Sequence, residues 1–111
     1  MQPERRRHAR SSSGVSAHVE VQGSAWSSPC VLDVSAGGAL VELPPGAPVP
    51  PLGARGRTTL SRGVESVDVA TRVVRVRWTG RERGQPMPPA VALVFDDGER
   101  ASARVLQLLR S

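Results

Sequence analysis

A chain of 111 residues, 39% hydrophobic and 23% charged, is sized for one small folded domain and excludes a disordered chain. All fifteen basic residues are arginine, the formal net charge is +5, and the excess is concentrated where residues 1–10 set four arginines against one glutamate. The single cysteine, Cys30, excludes an internal disulfide and a cysteine-rich metal site, and no apolar run approaches the ~18 residues of a membrane span.

Residues 1–14 (MQPERRRHARSSSG) are basic, then serine-rich, and end in glycine. They read as a flexible arm leading into one domain over residues 15–111. No apolar stretch follows the basic start, so it does not read as a secretion signal, and the cytoplasm is the expected location. From Val15 the pattern turns to period two, with Val15, Ala17, Val19 and Val21 alternating with polar residues, the mark of a half-buried strand. Gly23-Ser24 breaks it. Pro29–Leu32 reads as a second short strand closed by Asp33. Ser35-Ala36-Gly37-Gly38 then reads as a tight turn in which glycine can supply a positive φ.

Ala39–Leu43 is a third strand. The stretch Pro44–Gly53 holds five prolines and two glycines and is a surface loop, because proline cannot donate to a central ladder. Residues 56–61 suggest a fourth strand. Residues 64–78 give the longest β signal, with a phase shift: Val67, Val69 and Val73 share one face, while Val74, Val76 and Trp78 share the other. A β-bulge near Val73-Val74 or burial on both faces explains the shift. Residues 80–89 read as a polar loop and Ala90–Phe95 as the last strand. Asp96 as N-cap with Glu99 matches a capping box, and Ala101, Val105, Leu108 and Leu109 then form one apolar helical stripe. Valine and alanine dominate the apolar set, which favours strands. The expected fold is mainly β: a small six-stranded antiparallel barrel with a C-terminal helix.

Two motifs stand out by their order. Arg6 and Arg10 form RxxxR, preceded by Arg5. Asp33, Ser35 and Gly38 form DxSxxG between two strands. Either alone is weak, since an arginine-rich tail contains RxxxR by chance and DxSxxG also describes an ordinary turn. Together they resemble the PilZ domain, the bacterial receptor family for cyclic di-GMP. The similarity continues through Ala39–Leu43, through Thr71-Arg72-Val73-Val74-Arg75, and through Ala90–Phe95, where alanines stand for the two glycines of the family's Gly-x-Gly-x-x-Phe strand. One departure lies in the arm, where Ser11-Ser12-Ser13-Gly14 replaces the usual apolar residue and proline.

The resemblance implies a PilZ-like barrel that binds cyclic di-GMP. Arg6 and Arg10 would come from the arm, Asp33, Ser35 and Gly38 from the turn, with Arg5 in support and Arg7 and Gly37 as helpers. Family members take either one cyclic di-GMP or an intercalated pair, and Arg5 holds the position that bears on which. The chemistry is coherent without the name. A guanidinium donates two hydrogen bonds to guanine O6 and N7, forks onto phosphate oxygens, and stacks on purine faces. A carboxylate accepts from the guanine N1–H and exocyclic amine. The implied role is a non-enzymatic, stand-alone adaptor in signalling, in which ligand orders the arm and changes a surface seen by an effector protein. The alternative is an interaction adaptor of the same fold that binds no nucleotide.

Other readings are weaker. Ser35 lacks the glycine-flanked nucleophile elbow, because Asp33 stands where its first glycine belongs. His8, His18 and Cys30 lack metal-ligand spacing; His18 is expected to be exposed and Cys30 a buried small residue. Trp26 and Trp78 are expected to pack in the core or at the rim. Nucleic-acid binding through the arm would want interleaved aromatics that the chain does not have. No cofactor is expected.

Overall fold

The computed structural model describes residues 14–29, 31–78, 80–82, 85–96 and 98–110. Its strands are β1 (Ser16–Val21), β2 (Ser24–Ser28), β3 (Val31–Val34), β4 (Gly38–Glu42), β5 (Arg55–Arg62), β6 (Glu65–Arg77), β7 (Gly80–Glu82), β8 (Gln85–Met87) and β9 (Ala90–Phe95), followed by helix α1 (Gly98–Arg110). Seven strands form one antiparallel sheet in the order β2-β1-β5-β6-β9-β4-β3, and β7 and β8 pair as a separate ribbon.

The sheet curls into a half-barrel. Bonds tie its two ends together: Val31 N–H donates to Val15 O at 2.8 Å, and Trp26 Nε1–H donates to Glu42 O at 3.0 Å. The inner face is built from small branched residues, among them Val19, Val31, Val41, Leu60, Val69 and Val91, all fully buried. Each such side chain contributes on the order of 1.5–3 kcal/mol by leaving water. Thr58 and Thr71 also lie inside, and their hydroxyls bond each other at 3.0 Å, so neither is left unsatisfied. Ala101, Val105 and Leu108 of α1 close onto this core.

The mainly β fold with one C-terminal helix is as expected, but the sheet has seven strands where six were anticipated. The additional strand is β2, which follows directly on the Gly23-Ser24 break. Its sequence, SAWSS, carries one large apolar residue, yet it alternates cleanly: Ser24, Trp26 and Ser28 point inward. Inward serines disguise a strand as a loop, and here the Ser24 hydroxyl is satisfied by Pro48 O. The second predicted strand is displaced to Val31–Val34, so Asp33 lies within a strand and does not close one. A register shift between Val31 and Asp33 leaves that side chain facing out. Residues 80–89 contain the β7–β8 ribbon; each of its strands is an edge, where a proline such as Pro86 costs no ladder bond that matters.

The bulge in the long strand is present. Val73 pairs with Leu93 and Arg75 with Ala92, so Val74 is the extra residue. Downstream of it Val76 packs against the core, while Val74 and Trp78 are exposed. Trp26 is buried in the core; Trp78, just past the end of β6, is 61% exposed. His18 is exposed, bonded to Ser27 Oγ and Glu20. Asp96 does not open the helix. It precedes α1 by two residues, its backbone N–H is bonded to Ala70 O, and its carboxylate pairs with Arg72 at 3.5 Å. Cys30 and the arm residues up to Ser13 lie outside the described residues.

Candidate functional site

The DxSxxG segment spans the end of β3 and the start of β4, with β3 at one end of the sheet. Three local bonds fix its shape. Ser35 N–H donates to Gly38 O at 2.9 Å, Gly37 N–H donates to Ser35 Oγ at 3.3 Å, and Phe95 N–H donates to Gly37 O at 2.9 Å. The serine hydroxyl therefore acts first on the turn itself, a local side-chain cap of the kind serine favours. Asp33 is exposed, and among the described residues its carboxylate makes no hydrogen bond or ion pair. A solvated, uncommitted carboxylate beside a fixed turn can accept two hydrogen bonds from a planar donor pair such as a guanine edge.

The positive φ expected of the turn's glycines is absent, while the close approach expected at Gly38 is found, against β9. Neither Gly37 nor Gly38 has a positive φ. At Gly38 the demand is close approach: a Cβ there would lie 2.4 Å from Leu93 O on β9. The absence of a side chain lets β4 sit against β9, and this brings the turn to the end of the half-barrel where α1 begins. At Gly37 a Cβ would meet nothing within 4 Å. Its carbonyl, not its missing side chain, ties it to the fold.

One residue of this region escaped the sequence reading. Ser102, in the first turns of α1, donates its hydroxyl to Ala36 O at 3.0 Å. The helix thus holds the tip of the DxSxxG turn directly. No sequence signal marks Ser102, because a serine beside an apolar stripe looks like any helix surface residue.

Of the predicted site residues, Asp33, Ser35, Gly37 and Gly38 are brought together on this one edge. Arg5, Arg6, Arg7 and Arg10 lie outside the described residues. The nearest described backbone, Gly14 and Val15, enters β1 beside the start of β3, where Val15 O accepts the 2.8 Å bond from Val31.

The family model of the PilZ domain matches residues 4–110, nearly the whole chain. The chain belongs to the PilZ family. No curated protein and no solved structure matches it. PilZ domains are receptor and adaptor domains for cyclic di-GMP, not a class of enzyme. Among the described residues no helix is long and apolar enough to cross a membrane. The alanines in the PilZ-like strand over Ala90–Phe95 fit its packing. Ala90 is fully buried, in register with Glu42 of β4 on one side and Arg77 of β6 on the other.

Proposed function

We propose that this PilZ domain binds cyclic di-GMP between the arm and the DxSxxG turn, and that the arm becomes ordered as it does so. Arg6 and Arg10 fork onto phosphate and guanine acceptors, with Arg5 and Arg7 in support. Asp33 accepts from a guanine N1–H and amine. Ser35 and Gly38 hold the wall that the ligand meets. The ordered arm then presents a changed surface to an effector protein.

The observation that supports this reading best is the bond between Val15 O and Val31 N–H. It fastens the foot of the arm to the strand that carries Asp33. Arg10 is five residues from Val15, a span of at most roughly 17 Å, and Asp33 is two residues along β3 from Val31, roughly 7 Å. Arg10 can therefore fold back over Asp33 without disturbing the sheet. Cyclic di-GMP has the matching chemistry: two phosphates for guanidinium forks and two guanines for the carboxylate and for stacking.

Isothermal titration with cyclic di-GMP tests the reading, with GTP as control and an Arg6→Ala/Arg10→Ala double variant alongside. Saturable heat with the wild type, lost in the double variant and with GTP, is the expected result; it also yields the stoichiometry that Arg5 bears on. Amide exchange should show protection of residues 5–10 rising when ligand is added. No heat with folded wild-type protein would reject nucleotide binding and leave an adaptor that works without it.

A further inference from the structure

The bulge in β6 has an outward consequence. Val74, the extra residue, is pushed to the outside, and Trp78 follows onto the same surface. Facing them is the proline-rich loop over 44–53. Six large hydrophobic side chains are exposed among the described residues, and four of them, Val49, Leu52, Val74 and Trp78, line a single groove of about 340 Å³. Leu52 is 69% exposed. Single exposed apolar residues are ordinary, but four on one concave surface are the mark of an interaction site.

The groove is built, not incidental. Gly53 N–H donates to Val73 O at 2.8 Å and Val73 N–H donates to Ala54 O at 2.9 Å, which staples the loop to β6 immediately before the bulge. Ala54 N–H closes on Pro51 O at 3.1 Å, and Ser24 anchors Pro48 from the other side. Pro50 and Pro51 lie on the groove wall and fix their own backbone. A wall held this way loses little conformational entropy when something docks on it.

Charge decides between occupants. The groove's charged lining residue is Arg75, which is exposed and makes no ion pair among the described residues. Among the described residues no acidic side chain lines the groove. The chain's own arm, with four arginines and one glutamate in its first ten residues, would bring like charge to Arg75. A second copy docking face to face would set two arginines against each other across the symmetry axis. A segment that pairs an apolar anchor with carboxylates meets both requirements of the surface.

We propose that the groove between the 44–53 loop and the end of β6 docks an extended acidic segment of a partner protein. A leucine or aromatic side chain of that segment packs against Leu52 and Trp78, and neighbouring carboxylates pair with Arg75. The proposal supplies the effector-binding surface of the adaptor reading and rests on that part of it alone, not on nucleotide binding.

The test is a titration of isotope-labelled protein, without nucleotide, with a short capped peptide in which Leu and Phe alternate with Glu, and with the same peptide carrying Lys for Glu. The acidic peptide should shift the indole N–H resonance of Trp78 and leave that of buried Trp26 in place. It should bind at least about tenfold more tightly than the lysine peptide, the range that one or two complementary charge contacts supply. Leu52→Ser should abolish the Trp78 shift, Trp78→Ala should weaken binding followed on the backbone amides of the 44–53 loop in folded protein, and Arg75→Glu should reverse the peptide preference. Absence of binding, equal affinity for the two peptides, or binding that survives Leu52→Ser and Trp78→Ala would overturn the proposal. So would a concentration-dependent dimer lost in Trp78→Ala, which would make a second copy the occupant. Because no nucleotide is present, failure here is distinct from failure of the titration with cyclic di-GMP.

Discussion

Replacing Gly38 by alanine separates two roles that the DxSxxG glycine could have, one in the ligand and one in the sheet. A Cβ at Gly38 would sit 2.4 Å from Leu93 O, where real Cβ atoms keep at least 3.0 Å and ordinarily 3.4 Å or more. Strands β4 and β9 would have to part by roughly 0.6–1 Å at that point. The obstacle is backbone, so no side chain can swing aside. The neighbouring bond from Phe95 N–H to Gly37 O, now 2.9 Å, would stretch or break. Losing one such bond costs about 1 kcal/mol and the residual overpacking about 1–3 kcal/mol. Alanine returns about 0.5–1 kcal/mol by restricting the unfolded chain. The net expectation is a loss of about 1–3.5 kcal/mol, or a melting temperature lower by roughly 5–20 °C. Urea unfolding followed by the fluorescence of buried Trp26 measures it. Gly37→Ala is the control: its Cβ would meet nothing within 4 Å and its φ is not positive, so it should change stability by less than about 0.5 kcal/mol. If Gly38→Ala were as stable as wild type to within about 0.5 kcal/mol, the close approach of β4 to β9 would not be the reason for glycine there. The comparison also governs how nucleotide binding by this variant is read, because weak binding by a loosened sheet says nothing about contact with ligand.

Ser102→Ala should cost about 1 kcal/mol in urea unfolding, since it removes the bond to Ala36 O, and should weaken cyclic di-GMP binding by roughly two- to fivefold by loosening the turn. An unchanged affinity would mean that the helix does not position that turn. Arg62→Ala removes the guanidinium that donates to the carbonyls of Leu108 and Leu109 at the C-terminus of α1. A loss of about 1–2 kcal/mol is expected, with amide exchange accelerating in the last turn of the helix while the β6 amides stay protected. Uniform acceleration across the sheet would show instead that the helix and sheet open as one unit.

Much of the fold was legible because the chain alternates where one face is buried. Val15 leading into β1 with Ala17, Val19 and Val21 on it, and the Ala101, Val105, Leu108 and Leu109 stripe on α1, each announce the period of their element; all are buried except Leu109, which is partly buried against the core. The bulge was legible as a phase error between Val73 and Val74. The legible half of the site was DxSxxG, since its residues are close in sequence and meet on one edge by local geometry alone. The elements that were missed share a cause. Strand β2 places Ser24 and Ser28 inward, and a buried serine can be told from a loop serine only by its distant partner, here Pro48 for Ser24. Whether Trp78 packs in the core or at the rim was not legible, because a tryptophan after a bulge looks the same whether the next layer covers it or stops short of it.

The sequence by itself determined the mainly β character and the C-terminal helix, because these depend on composition and period along the chain, and its two motifs carried the resemblance to the family and, through it, the candidate ligand residues. The tertiary structure decided the rest. That Gly38 is required by Leu93, that Ser102 holds Ala36, and that Leu52 and Trp78 share one groove are all facts about residues tens of positions apart. Such pairs meet through strand order and curl, and neither is written in any local stretch of the chain.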